Sequence, residues 1–329
     1  MIDALFGFAK TQMVYVAVRL GIPDQLADGP RTTEELAAAT GAHADSLRRL
    51  LRAVAGLGIV AEIEPDRYEL TLGGQLLRAD IDGSLRPTVL LFGGEEMWRT
   101  WGELEYSVRT GKPVFERLYG ASSFDYLARH PDKAAIFHDA MSRHTADVAP
   151  GIVAGYDFAR HRTLVDVGGG DGVLLAELLR AVPTLRGVLY DRPAGAAAAT
   201  ATLQAAGVAD RCEVVAGDFF ETVPDGGDAY LLKSVIHDWD DERATQILVN
   251  CREAGGTVLV IEPVVPAGLA PSEPTFLTLS DLNMLVSIGG RERTEDEFRT
   301  LFAAAGLDLV AVHDTDGEYR ILECVPTPG

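Results

Sequence analysis

"TLVDVGGGDGVLLAELLRAV", residues 163–182, decides how the chain folds. "TLVDV" is a short β-branched apolar run, a buried strand by composition. "GGGDG" follows it directly. "VLLAELLRAV" then carries apolar residues at helical spacing and stops before Pro183. The rhythm continues downstream. "GVLYD" reads as a second strand, with an alanine-rich helix over 194–206. "CEVVAGD" reads as a third strand and "AYLLK" as a fourth. A helix spans about 240–253, and "GTVLVIE" makes a fifth strand. Strands alternating with helices predict a parallel sheet covered on both faces, an α/β fold. The tail "LDLVAVHD…EYRILECV" holds two more β runs around Asp316-Gly317. They predict an antiparallel hairpin closing one edge, for a mostly parallel sheet of seven strands.

The glycine loop lets a ligand approach the backbone closely. It does not fit the dinucleotide spacing G-x-G-x-x-G: the sixth position is Val173 counted from Gly168, and Leu175 counted from Gly170. The acids sharpen the reading. Asp191 ends the second strand, where a carboxylate suits a ribose diol. Asp218 and Phe219 end the third, where an acid beside a ring suits an amino-heterocycle such as adenine. Three successive strand ends thus converge on an adenosine-shaped ligand.

The composition narrows the class. The 329 residues are 47% hydrophobic and carry a formal charge of −20, which sets nucleic acid aside as a partner. No apolar run reaches the ~18 residues of a membrane span. The first twenty residues lack a basic start and a small-residue cleavage site, so no signal peptide is read. Three widely spaced cysteines, Cys212, Cys251 and Cys324, suit free thiols in a reducing cytoplasm and show no metal-ligand spacing.

Residues 1–85 read as helix, helix, hairpin, the winged-helix pattern. "RTTEELAAATG" carries a capping box, Thr32 to Glu35, and stops at Gly41. "ADSLRRLLRAVAGLG" starts from a cap at Asp45 and aligns Leu47, Leu50, Leu51, Val54 and Leu57. Its Arg48, Arg49 and Arg52 raise DNA binding, but the acidic chain favours a packing or dimerisation module. The apolar opening, with Leu5, Phe8, Met13 and Val16, predicts a homodimer. Residues 86–160 read as a helical region whose aromatics serve a core or a flat-ligand pocket, and residues 161–329 as the cofactor domain.

Beyond the fourth strand lies "KSVIHDWDDE", residues 233–242. Acids at a helix start complement its dipole, but they do not account for His237. Together, "LVDVGGGDG", "GDFFETVPDGGDAYLLKSVIHDWDDE" and "GGRERTEDEF" resemble the class I S-adenosylmethionine-dependent O-methyltransferases of the plant caffeate/flavonoid type. The nearer likeness is to their bacterial secondary-metabolite branch, and it covers nearly the whole chain. The resemblance implies a Rossmann-like catalytic domain behind a winged-helix dimerisation domain. It implies S-adenosyl-L-methionine as cofactor, no metal, and a hydroxylated aromatic or polycyclic acceptor.

By position, Gly168 and Gly170 resemble the loop under the cofactor's amino-acid end, Asp191 the ribose acid, and Asp218 with Phe219 the adenine pair. Lys233, Met141 and Thr145 fall at the cofactor, and Phe137, Asn283, Met284 and Asp238 at the acceptor. His237 matches the general base, and Glu262 and Glu292 the two acids flanking it. That assignment agrees with what methyl transfer to a hydroxyl requires. A neutral hydroxyl gains from a base, and an imidazole that takes a proton needs a carboxylate on its other nitrogen. Either glutamate suits that place. A second expectation keeps the cofactor site but runs non-methylating chemistry, such as hydroxylation, decarboxylation or a pericyclic step.

Overall fold

The structure is a computed structural model; it describes residues 2–266, 268 and 276–328. The chain divides into two compact units. One comprises Met1–Gly102 and Leu127–Arg143, the other Glu103–Tyr126 and His144–Gly329.

In the first unit, helices Gly7–Arg19, Thr33–Thr40 and Ala44–Gly56 accompany a small antiparallel sheet. Its strands are β1 (Arg31–Thr32), β2 (Val60–Glu64) and β3 (Arg67–Leu70), in the order β1-β3-β2. The expected capping box is present: the Thr32 side chain accepts from the backbone N–H of Glu35, and the Glu35 carboxylate accepts from that of Thr32. Gly41 ends that helix with φ 69°, a left-handed conformation that costs glycine little. Helix Ala44–Gly56 buries Leu47, Leu51 and Val54, while Leu50 and Leu57 pack part-buried beside them. Its N-cap is His43 rather than Asp45. The Asp45 carboxylate is taken by Arg48 Nη1 at 2.7 Å and caps nothing. Arg48 also binds Glu34 and Asp66, so this arginine is spent within the module rather than offered to phosphate.

In the second unit, β4 (Thr163–Val167), β5 (Arg186–Asp191), β6 (Cys212–Ala216), β7 (Ala229–Lys233) and β8 (Thr257–Val265) run parallel. The tail supplies β10 (Leu307–Asp314) and β11 (Tyr319–Pro326), after the two-residue β9 (Arg293–Thr294) that pairs with β8. The order along the sheet is β10-β11-β8-β7-β4-β5-β6. The tail hairpin enters through its second strand: β11 lies antiparallel on β8, and β10 is the edge. Alternation along the strands builds two cores. Leu164, Leu231 and Leu259 face one layer; Val165, Tyr230 and Val258 face the other. The reversal of order between β5-β4 and β7-β8 opens a crevice at the carboxyl ends of the strands, where α/β sheets bind ligands.

Candidate active site

The glycine loop leaves β4 with Gly168 at φ 74° and Gly170 at φ 58°, and Gly172 begins helix Val173–Ala181 at φ 79°. Side chains are strained in that region, which is why the loop is glycine. Asp191, at the end of β5, accepts the Gly170 N–H through Oδ2 at 2.8 Å and so ties loop to strand. Asp218 lies just beyond β6 and accepts the Phe220 N–H at 2.9 Å. Phe219 packs edge-on against Phe220 and Trp239. Lys233 closes β7, and its Nζ donates to Thr145 Oγ1 at 3.1 Å. Burial pushes this ammonium down to about 8, against the opposing pull of Glu262 and Asp166.

The turn after β7 is held in an unusual shape. Ser234 has φ 53°, a strained value for serine, and its Oγ is 2.8 Å from Tyr319 Oη. Glu262, fully buried on β8, accepts the backbone N–H groups of Val235, Ile236 and His237 through one oxygen, Oε1. Arg293 is 1% exposed, and its guanidinium clamps the carbonyls of Ile236 and Trp239 as well as Asp241. Arg291 donates its N–H to the His237 carbonyl at 2.9 Å. The peptide of His237 is therefore fixed from both sides.

Its ring is fixed as well. Nδ1 lies 3.0 Å from Glu292 Oε1 and 3.6 Å from Glu262 Oε2. Two carboxylates at Nδ1 hold a proton there, so in the neutral ring Nε2 is the basic nitrogen. Asp238 Oδ1 is 3.4 Å from Nε2. Burial pushes the imidazole down, but Glu262, the Glu292 hydrogen bond and Asp238 together outweigh it and raise its pKa. Glu262 is raised to about 7, by burial first and then by its acidic neighbours against the opposing imidazole. The near oxygen of Glu292 also accepts from Ser280 Oγ at 2.7 Å. His237, Glu262 and Glu292 bring ligand-type atoms within 4.8 Å of one another, a cluster invisible in the linear spacing. Glu292 Oε1 is engaged by the imidazole and a hydroxyl, and Glu262 Oε1 by three backbone N–H groups, while the second oxygen of each carboxylate has no hydrogen-bond partner among the described residues.

Of the other expected residues, Asn283 and Met284 lie on helix Phe276–Ser287, the helix that carries Ser280. Phe137, Met141 and Thr145 follow one another at four-residue spacing on helix Pro131–Gly155 and so share a face. Phe137 and Met141 belong to the first unit, Thr145 to the second.

Sequence reading passed over several residues. Asp166 is buried in β4, and its Oδ2 has no hydrogen-bond partner among the described residues. Burial, then the nearby Asp191, raises it to about 7. An acid inside an otherwise apolar strand was the available signal. Trp239 sits in a box with Phe124, Phe219 and Phe220, its Nε1 likewise unpartnered among the described residues. Ser280, Arg293 and Tyr319 gave no signal, since their roles depend on partners far off in sequence.

These groups fit S-adenosyl-L-methionine: a loop with three glycines at positive φ, acids at two strand ends and an aromatic box. The comparisons agree. Residues 101–308 match the family model described as the O-methyltransferase domain, and residues 2–80 match the O-methyltransferase dimerisation domain. A phenazine O-methyltransferase of Lysobacter antibioticus is 44% identical over 99% of this chain and 95% of its own length. The 8-amino-8-demethylriboflavin N,N-dimethyltransferase of Streptomyces davaonensis is 38% identical over 96% of this chain and 92% of its own. An O-methyltransferase from neocarzinostatin biosynthesis, solved with S-adenosylmethionine and 2-hydroxy-5-methyl naphthoic acid, superposes with TM-score 0.86 at 38% identity. That likeness covers 99% of this chain and 98% of the other. The chain belongs to the S-adenosylmethionine-dependent O-methyltransferase family, and carries both its catalytic and its dimerisation domain. No helix among the described residues is long and apolar enough to cross a membrane.

Proposed function

We propose that this methyltransferase acts on a phenolic or enolic hydroxyl of an aromatic or polycyclic small molecule, with His237 as general base. The observation that carries the reading is the His237 ring, gripped at Nδ1 by buried Glu292 and Glu262, with Nε2 beside Asp238 Oδ1 on the side proposed for the acceptor. Bound S-adenosyl-L-methionine supplies a methyl group already activated on a sulfonium. The protein's part is to align and to handle one proton. Gly168 and Gly170 give their backbone to the methionine end. Asp191 holds the ribose, and Asp218 and Phe219 the adenine. Lys233, Met141 and Thr145 complete the cofactor contacts. Phe137, Asn283, Met284 and Asp238 face the acceptor. Glu292 orients the imidazole, and Glu262 fixes the turn beneath it while adding countercharge.

The raised imidazole pKa makes His237 a strong base. A bound hydroxyl more acidic than the imidazolium passes its proton to Nε2 and reacts as the oxyanion. The raised pKa favours the imidazolium in the free enzyme. An acceptor that arrives ionised, meeting imidazolium, has the same proton count as a neutral one meeting imidazole. Both reach the same complex.

The protein acts as a homodimer, supported by its dimerisation domain and by apolar side chains left exposed at its start. Three unpaired cysteines fit a reducing cytoplasm. The function is tested by incubating the enzyme and S-adenosyl-L-methionine with hydroxylated polycyclic acceptors and their amino analogues. Mass spectrometry should find S-adenosylhomocysteine together with the O-methyl product. S-adenosylhomocysteine formed with the amines alone, or no methylated product from any acceptor, contradicts the reading.

A further inference from the structure

We propose that Ser280 is a positioning residue for the His237–Glu292 pair, and that the helix carrying it couples the seating of the acceptor to the state of the base. The inference rests on the reading of His237 as base.

Two adjacent residues of helix Phe276–Ser287 grip Glu292 at both ends. The Ser280 hydroxyl donates to Oε1 at 2.7 Å, the same oxygen that accepts from His237 Nδ1 at 3.0 Å. The Asp281 carboxylate accepts the backbone N–H of Glu292 at 2.9 Å. The other oxygen, Oε2, has no hydrogen-bond partner among the described residues, so the orientation of this buried carboxylate depends on the two donors at Oε1. Asn283 and Met284 stand three and four residues beyond Ser280, on the same side of the helix. A molecule resting on that side presses on the turn that steers Glu292.

Ser280 also sets the charge on the pair. A second donor spreads the negative charge of Oε1 and loosens its hold on the imidazole proton. The other charged or titratable groups around the pair are Asp238 on its own turn, Glu262 from β8 and His144 from helix Pro131–Gly155, with Lys233 of β7 beside Asp238 and Tyr319 of β11 beside both glutamates. Asp281 and Arg293 flank Glu292. None of them replaces a hydroxyl donor on Oε1. Without it the proton-free pair is the form that suffers, so the pair holds its proton more tightly.

The test compares Ser280→Ala, Ser280→Thr and His237→Gln in the full chain. The imidazole is titrated by NMR on histidine-labelled protein. The His237 signal, one of seven, is assigned by its loss in His237→Gln. Ser280→Ala should raise the His237 midpoint by ~0.5–1 unit and lower kcat about tenfold, with S-adenosyl-L-methionine affinity unchanged by calorimetry. Ser280→Thr, which keeps the hydroxyl, should restore both. If Ser280→Ala leaves midpoint and kcat unmoved while His237→Gln is crippled, the positioning role is wrong and the base stands. If alanine and threonine lose rate alike with the midpoint unmoved, the effect is steric and the proposal fails. Full turnover by His237→Gln overturns the base reading, and this inference with it.

Discussion

The proton on Nδ1 of His237 is placed by two side chains brought together from distant parts of the chain, Glu262 on β8 and Glu292 just before β9. The imidazole's folded pKa is raised, so its neutral form grows as pH rises. With an acceptor that stays un-ionised, kcat/KM therefore increases with pH up to that raised value and then levels. The backbone around the ring is as constrained as the ring. A Cβ on Gly290 would lie 2.0 Å from the His237 carbonyl oxygen and 2.6 Å from the Asp238 carbonyl carbon. Gly290→Ala should therefore displace the turn, costing ~1–3 kcal/mol of stability and most of the turnover while cofactor affinity persists. Steady-state kinetics beside calorimetry check this, and an alanine enzyme with normal kcat shows the turn to be slack. At this scale the sequence was partly legible. His237, Asp191 and the glycines stood out because they interrupt periodic elements. Arg293 and Ser280 did not, because an arginine or serine near a helix is ordinary until its partner is known.

Among the elements, the wing is held by a small electrostatic knot. Asp66 accepts from Arg48 Nε at 2.9 Å and from Thr33 Oγ1 at 2.6 Å, and these bonds hold its carboxyl down at about 2. A depressed folded pKa contributes stability above the ordinary carboxylate value, and that contribution is lost as pH falls through the folded one. Asp66→Asn should cost about 1 kcal/mol at pH 7, since both partners are partly exposed, and roughly half as much at pH 3. Urea unfolding of both proteins at the two pH values tests this; an equal difference at both rules out the charge. Periodicity and capping chemistry made the elements readable: the Thr32–Glu35 box and the Gly41 stop lie where the residues called for them. Asp45 misled because a carboxylate at a helix start serves equally well as a cap or as half of an i,i+3 ion pair, and Arg48 settles the choice.

For the molecule as a whole, the seven longer strands of the large sheet and the direction of its parallel core followed from the alternation of runs, but the two-residue β1 and β9 were not expected, and the entry of the tail hairpin through β11 required pairing information that no single strand carries. The opening helices show the same limit. The apolar stretch read as one interface is divided: Ala17 and Val18 lie in the core of their own unit, while Leu5 and Phe6 are 66% and 57% exposed. Deleting the whole segment would therefore damage the unit, whereas a charge at the exposed positions leaves its core intact. The double substitution Leu5→Glu, Phe6→Glu should dissociate the dimer without changing the circular dichroism of the monomer. Light scattering that still reports a dimer places the interface elsewhere.

The proposed chemistry turns on His237 removing the acceptor's proton. Its most direct test is the single-turnover methylation rate of His237→Gln against the unaltered enzyme, on two acceptors of one skeleton. One has a weakly acidic hydroxyl, and the other is already ionised at the assay pH. Loss of a general base should slow the first by ~10²–10⁴-fold and the second by no more than about tenfold. A His237→Gln enzyme that methylates the weakly acidic acceptor at near-normal rate contradicts the account, and leaves alignment of donor and acceptor as the source of catalysis.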